Sequence, residues 1–348
     1  MERSTHALEA LHMQLRGINF GNVFCAAGAR NFFGTEADAY WFHRLLRILS
    51  GFVAFVLRRP WGLNYAGSTF VAKTTTAAPR VGNMPLVPGT VRPWEYFPRC
   101  IVVNFWGAYA LNKVGLSGPG ASWLFDQGLW QKRQEPFMLS FMAVSADVED
   151  RLDELQRFTL RLFVELDSHP ELRSRLALEV NLSCPNVGLD QAHLVEEASE
   201  MSDRLRMLGI PFGFKLSVEI EPEVALRIAE HSDFITVTNT IAFGKLPNQI
   251  NWRKLFGSDT SPLANVGAPG GGGLSGRPLL PLVIEWIRAV RALGMKAPII
   301  GGGGILAPQD ARNVLAAGAT AISVGCISML RPWRLAGTIR AANEACRE

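Results

Sequence analysis

The sequence lacks any long uninterrupted hydrophobic run. Its greasiest stretch, Leu45 to Leu57, sits in an apolar insertion spanning about residues 41–62 and is bracketed by Arg44, Arg47, Arg58 and Arg59. The uncharged part is about ten residues, against the roughly twenty a membrane-spanning helix needs, so it does not cross a bilayer. Cysteines are few: Cys25, Cys100, Cys184, Cys326 and Cys346 make an odd count without paired metal-ligand spacing. That argues against a disulfide framework and against a zinc site, and a reducing cytoplasm fits such a chain. Charge of one sign is not concentrated either. A net charge of +4 over 348 residues, with lysines and arginines scattered, leaves no basic stripe for nucleic acid. No G-x-G-x-x-G follows the first apolar run and opens a helix, which argues against NAD held in a doubly wound domain. The N-terminal residues Met1 to Gly17 are polar and lack the apolar middle of a secretory signal. No repeat of solenoid length is present.

What is there supports a sizeable core: 48% of residues are hydrophobic and 19% charged. Short apolar runs that read as strands are Asn22 to Gly28, Ser68 to Thr74, Phe137 to Ala143, Leu176 to Val180, Phe212 to Ser217, Phe234 to Thr240, Ala297 to Ile300 and Ala321 to Val324. Helical patterns alternate with them, at Asp147 to Glu165, Val195 to Leu208, Pro222 to His231, Leu279 to Leu293, Pro308 to Ala316 and Pro332 to Ala345. Eight strands alternating with helices, without a second core, predict an α/β fold of the (β/α)8 TIM-barrel kind in one domain. Thr35 to Leu57 reads as an N-terminal helical insertion, ended by Pro60. Two readings of it stay open: a helix buried against the body or a partner subunit, and a surface helix in peripheral contact with lipid, its arginines at the headgroups. Thr75 to Gly120 is rich in proline and glycine and reads as a long functional loop region.

In such barrels the chemistry lies on loops beyond the carboxyl ends of the strands. The fourth run ends in Asn181-Leu182-Ser183-Cys184-Pro185-Asn186, where Cys184 alone can become a nucleophile or base near neutral pH; a buried cysteine in a turn is the bland alternative. Lys73 ends the second run, as a solvated cap or as a group facing a ligand. Lys215 is the only charge of the fifth run, costly to bury unless an anion or polar partner meets it. Thr238, Asn239 and Thr240 end the sixth run, as turn residues or as ligand contacts. Gly270 to Gly276 reads as a glycine-rich loop, and Gly301 to Gly304 and Gly325-Cys326 end the last two strands. Glycines there let backbone N–H groups converge on a phosphate, and Gly272, Gly273, Gly303, Gly304 and Gly325 are the candidates. Gly28 would allow a ligand to approach the first strand closely. A phosphate held at the last two strands leaves the rest of a ligand lying over the mouth toward Lys215, and FMN has that shape and length; Lys215 would stabilise the negative charge of its reduced form.

Taken together and in order, Ala26-Ala27-Gly28, Lys73 to Thr76, Pro79 to Asn83, Asn112 to Gly115, Asn181 to Asn186, Lys215, Thr238 to Thr240, Gly273 to Gly276, Gly301 to Ile305 and Gly325 resemble the dihydroorotate dehydrogenase family. The resemblance runs from about Gly21 to Ala345, and the cysteine in the Asn181 to Asn186 loop is similar to the class 1 branch. It implies an FMN barrel that oxidises dihydroorotate to orotate in pyrimidine synthesis, with Cys184 as the base. It also implies substrate contacts from Lys73, Asn112, Asn181, Asn186, Asn239 and Thr240. Cofactor contacts would come from Ala27, Gly28, Lys73, Lys215, Thr238, the five glycines and Cys326, which stands where the family often has threonine or serine. A homodimer follows from the same resemblance. The electron acceptor stays open between fumarate, a flavin and iron–sulphur partner subunit, and a quinone at a membrane surface. A related dihydropyrimidine oxidoreductase and a non-catalytic flavin- or phosphate-binding barrel are the alternatives.

Overall fold

Every residue of the runs Phe137–Phe141, Leu176–Asn181 and Phe212–Leu216 is buried, as strands covered on both faces must be. The computed structural model describes residues 13–34, 63–95, 97–182 and 191–346, the side chain of residue 192 excepted. The expected helix Thr35 to Leu57, and with it the apolar insertion, lies outside the described residues, as do Cys184 and Asn186.

In chain order the strands are β1 (Gln14–Leu15), β2 (Ile18–Asn19), β3 (Val23–Cys25), β4 (Phe70–Val71), β5 (Ile101–Asn104), β6 (Tyr109–Asn112), β7 (Phe137–Phe141) and β8 (Leu176–Asn181). There follow β9 (Phe212–Leu216), β10 (Phe234–Val237), β11 (Ile241–Ala242), β12 (Gly273–Gly276), β13 (Ile299–Gly302) and β14 (Ala321–Val324). Eight of them neighbour one another in the order β3-β14-β13-β10-β9-β8-β7-β4, all parallel. The ring closes between β3 and β4, where the Cys25 N–H donates to Thr69 O at 2.9 Å and the Thr69 N–H to Val23 O at 2.7 Å. This is the (β/α)8 barrel that the alternating pattern predicts.

Alternation along each strand sorts side chains between two cores. Phe24, Val71, Met138, Ala177, Phe234, Ile300 and Ala321 fill the barrel, closed below by Met13, Leu15 and Phe20 of the β1–β2 hairpin. A side chain at Gly213 would run into the Phe234 ring, so this glycine makes room for the largest residue of that layer. Leu139, Phe141, Leu178, Val180, Phe214 and Leu216 point outward into the larger core under the helices. Those helices are α1 (Ala121–Asp126), α2 (Val148–Ser168), α3 (Gln191–Leu205), α4 (Pro222–Ala229), α5 (Trp252–Phe256), α6 (Leu279–Ala292), α7 (Pro308–Ala316), α8 (Ile327–Leu330) and α9 (Leu335–Ala345). Asp147 caps α2 by accepting the Asp150 N–H at 3.2 Å, which places the helix start where its acidic first turn suggests.

Two stretches read as loops are partly strand. Within Thr75 to Gly120, β5 and β6 form a hairpin, and the glycine-rich segment supplies β12; with β11 they make a second, antiparallel sheet in the order β11-β12-β6-β5. Its own small core of Tyr109, Leu111, Ile241, Leu263, Leu274 and Trp252 is what those short segments bury.

Candidate active site

One step above the apolar layer, the same alternation turns Lys73, Ser140, Glu179, Asn181, Lys215 and Thr236 inward. Five of the six lie under 10% exposed: Ser140 at 0%, Glu179 and Thr236 at 3%, Asn181 at 7% and Lys215 at 9%. A polar layer of this kind inside a barrel must be bonded internally or meet a ligand. Most of it is bonded. The Asn181 Nδ2 donates to Ser140 Oγ and to Phe141 O, both at 3.2 Å. Asn239 Nδ2 in turn donates to Asn181 Oδ1 at 3.2 Å, bridging the ends of β8 and β10. Thr74 Oγ1 stands 2.9 Å from Ser140 Oγ, whose hydroxyl donates to Glu179 Oε1 at 3.0 Å. Thr236 Oγ1 is buried and has no hydrogen-bond partner among the described residues.

Lys215, the only charge read in its run, meets a partner inside the barrel: its Nζ stands 3.6 Å from Glu179 Oε1 on the neighbouring strand. Glu179 and Ser140 are the two site residues that sequence reasoning passed over, because each is a single polar residue inside a run read as apolar. Counting by twos back from Asn181 finds Glu179, and the same count places Ser140 on the inward face of β7.

Lys73, two residues beyond β4, donates from Nζ to the Ser117 carbonyl and lies 4.5 Å from the centre of the Phe32 ring. Burial pushes its ammonium down to about 8. Gly28 adopts φ 91°, and a Cβ there would stand 3.8 Å from Lys73 Cγ, so the loop after β3 passes close over this lysine. Ala27, beside it, packs against the inner core.

The expected glycine group divides in two. Gly273 pairs with Asn112 in the second sheet, Asn112 Nδ2 reaches Gly273 O at 3.4 Å, and a Cβ on Gly273 would collide with Thr240 Oγ1. Gly272 lies against the Asn112 carbonyl. These two glycines therefore stand with Asn112 and Thr240, on the asparagine side of the mouth. Gly303 (φ 115°) and Gly304 (φ 77°) follow β13, and a Cβ on Gly304 would come within 2.7 Å of Gly276 O and Leu280 N. A Cβ on Gly303 would come within 2.8 Å of Thr238 Cγ2. Gly325 packs on Ala26, and the Gly304 N–H bonds to the Cys326 sulphur, whose thiol is pushed up to about 11 by burial. Gly276, at the end of β12, takes the place near Gly304 that the sequence reading gave to Gly272 and Gly273.

Among the described residues, no cluster of three or more His, Cys, Asp or Glu is placed to hold a metal ion, and no helix is long and apolar enough to cross a membrane.

A family model described as dihydroorotate dehydrogenase matches residues 61–340. Dihydroorotate dehydrogenase A (fumarate) of Lacticaseibacillus paracasei is 29% identical over 276 residues, 77% of this chain and 81% of that protein. The protein of the same name from Lactobacillus delbrueckii subsp. bulgaricus is 31% identical over 224 residues, 62% of this chain and 65% of its own. Dihydroorotate dehydrogenase B (NAD(+)), catalytic subunit, of Anoxybacillus flavithermus is 28% identical over 231 residues, covering 64% and 66%. The family match takes in the barrel from β4 to β14 with its polar layer, and the chain belongs to the dihydroorotate dehydrogenase family, a family of oxidoreductases.

Proposed function

We propose that this chain oxidises dihydroorotate to orotate, a step of pyrimidine synthesis, with FMN as cofactor and Cys184 as base. The observation that carries the reading is the amide bridge from Asn239 to Asn181, whose strand pairs Asn181 in register with buried Lys215. Amides that both donate and accept suit the imide edges of a pyrimidinedione, and an ammonium such as Lys73 suits its carboxylate. The relatives named for fumarate and for NAD(+) support the same substrate.

The residues present fit FMN. Gly303 and Gly304 leave a cradle that a Cβ would fill, beside the first N–H groups of α6, and such an arrangement binds a phosphate. The orphaned Thr236 hydroxyl and Lys215 lie at the other end, under the mouth. When bound, FMN supplies the two-electron oxidant. Lys215 would then supply positive charge to favour its reduced form, and Gly303, Gly304, Gly325 and Cys326 would hold its phosphate. Ala27, Gly28 and Thr238 shape the walls, with Gly272 and Gly273 at the junction to the second sheet. Asn112, Asn181, Asn186, Asn239 and Thr240 orient the ring. The Cys184 thiolate would take the proton from the carbon next to the carbonyl, and the adjacent carbon would lose its hydrogen together with the bonding electron pair, as hydride, to the oxidised flavin.

The test is anaerobic addition of dihydroorotate to the purified yellow protein. Bleaching of the flavin band followed by reoxidation with one member of a panel of fumarate, a flavin–iron–sulphur partner and quinone supports the reading and names the acceptor. A protein that takes up no FMN, or that stays yellow, overturns it. A homodimer and a peripheral lipid contact through Leu45 to Arg59 belong to the same proposal. Liposome co-sedimentation at low salt tests the second, and absence of binding assigns the insertion to packing.

A further inference from the structure

We propose that Glu179 is a positioning residue: its carboxylate sets the net charge that Lys215 presents at the barrel mouth and, through Ser140, the direction in which the Asn181 amide points. The inference rests on the flavin-dependent reading above and deepens it.

An ionised carboxylate only accepts hydrogen bonds. Ser140 has one O–H, and it is spent on Glu179 Oε1 at 3.0 Å. Its oxygen can then only accept, so Thr74 Oγ1 at 2.9 Å and Asn181 Nδ2 at 3.2 Å must both be donors to it. That turns the NH2 of Asn181 toward β7, where it also donates to Phe141 O, and leaves Oδ1 toward β10 to receive Asn239 Nδ2. The reverse amide orientation would set Asn181 Oδ1 against the Phe141 carbonyl, acceptor to acceptor. The Glu179 charge, acting with the Phe141 carbonyl, therefore fixes the sense of the whole relay, Asn239 to Asn181 to Ser140 to Glu179. A ring that binds at the mouth meets amides whose polarity is already chosen.

The same carboxylate also faces Lys215. At 3.6 Å, with side chains 4% and 11% exposed, the two form a buried ion pair of zero net charge. Without Glu179 the lysine would stand uncompensated, and the site would favour anions by the full interaction of a unit charge at low dielectric. Glu179 thus restrains how strongly Lys215 favours the reduced, anionic form of a flavin.

The two roles separate experimentally. In Glu179→Gln holoenzyme the flavin midpoint potential should rise, by about 30 mV for each tenfold gain in affinity for the reduced over the oxidised form. The KM for dihydroorotate should rise about tenfold, because glutamine presents either a donor or an acceptor to Ser140. In Ser140→Ala, which leaves every charge in place, the KM should rise while the potential stays at the wild-type value. Titration of apoprotein with FMN, followed by quenching of flavin fluorescence, reads cofactor affinity without turnover and should leave Ser140→Ala unchanged. A Glu179→Gln enzyme with unmoved potential or unmoved KM overturns the assignment, as does Ser140→Ala with wild-type KM. Should Glu179→Gln not fold, Ser140→Ala judges the relay and Glu179→Ala, whose flavin potential should also rise, judges the charge. If wild-type holoenzyme is not reduced by dihydroorotate, the substrate reading fails, and the potential still judges Glu179. A wild-type chain that binds no FMN overturns both.

Discussion

The guanidinium of Arg151 grips the carboxylate of Glu197 through two hydrogen bonds, at 2.7 and 2.8 Å, with the side chains only 4% and 5% exposed. The pair joins α2 to α3, and Arg151 Nη1 also donates to the carbonyls of Ser145 and Ala146 at the loop after β7. Breaking a buried pair by removing one partner leaves a lone charge, at a cost of about 3–5 kcal/mol. Arg151→Met should lower the unfolding free energy by that amount in urea titrations, and Arg151→Met with Glu197→Leu should recover part of the loss. A double variant as unstable as the sum of the singles would deny the coupling.

Lys73 gives the site a pH dependence of its own. Burial lowers its pKa from 10.5 to about 8, so in the free protein its charge is present below that pH and lost above it. Affinity for orotate, read from flavin difference spectra, should be flat between pH 6 and 7 and about tenfold weaker at pH 9. Lys73→Met should bind weakly at every pH with no such break. For folding the sign is opposite: a lysine depressed in the folded state contributes stability above 10.5 that is lost as pH falls through about 8.

The barrel was legible because each strand is a short apolar run, and the run Ala321 to Val324 and the helix Pro308 to Ala316 stand where their patterns place them. Other strands proved shorter than their runs: Ser68 to Thr74 contains only Phe70–Val71 as strand, the ends being the polar residues of the rim. The second sheet was hidden because its strands are two to four residues long and Gly273–Gly276 carries only Leu274 as apolar content, so no periodicity exists to read. In the polar layer, Lys73 stood out at the end of its run and Lys215 as the only charge within its own, while the asparagines were singled out as a set by the family resemblance. Glu179 did not, since an isolated acid between Leu178 and Val180 looks like a flaw in a hydrophobic run until its inward face and its partner Lys215 are placed.

The thiols should differ in reactivity. Burial raises the pKa of Cys25, Cys100 and Cys346, and takes Cys326 to about 11. Thiolate is the reactive form, so these four should alkylate slowly at pH 7.5, and Cys184, as a base, should be labelled first by iodoacetamide. Peptide mass spectrometry with time gives the order, and orotate should slow labelling at Cys184 alone. Faster labelling at Cys326 would contradict the burial argument.

Gly304 and Gly257 share a left-handed backbone, at φ 77° and 74°, but differ in surroundings. A Cβ at Gly257 meets nothing within 4 Å, whereas one at Gly304 faces Gly276 O and Leu280 N at 2.7 Å. Both alanine variants carry a backbone cost of about 1–2 kcal/mol. Only Gly304→Ala should also weaken FMN binding, by about tenfold or more, in fluorescence titration of the apoprotein. Equal FMN affinity in the two variants would remove Gly304 from the phosphate cradle.

Cys184→Ser tests the base itself. A free thiol ionises near pH 8.5, so a modest electropositive bias, which cations such as Lys73 and Lys215 could supply, gives a useful thiolate fraction at neutral pH. A serine hydroxyl at neutral pH stays protonated, and loss of a general base costs about 10²–10⁴ in rate. The variant should hold FMN as wild type does, while anaerobic single-turnover reduction by dihydroorotate slows by that factor and recovers in part as pH rises. Because the measurement follows flavin reduction alone, a slow acceptor step cannot mask it. Reduction at the wild-type rate would transfer the base role away from Cys184, with Lys73, whose pKa of about 8 already lies near neutrality, the next group to substitute.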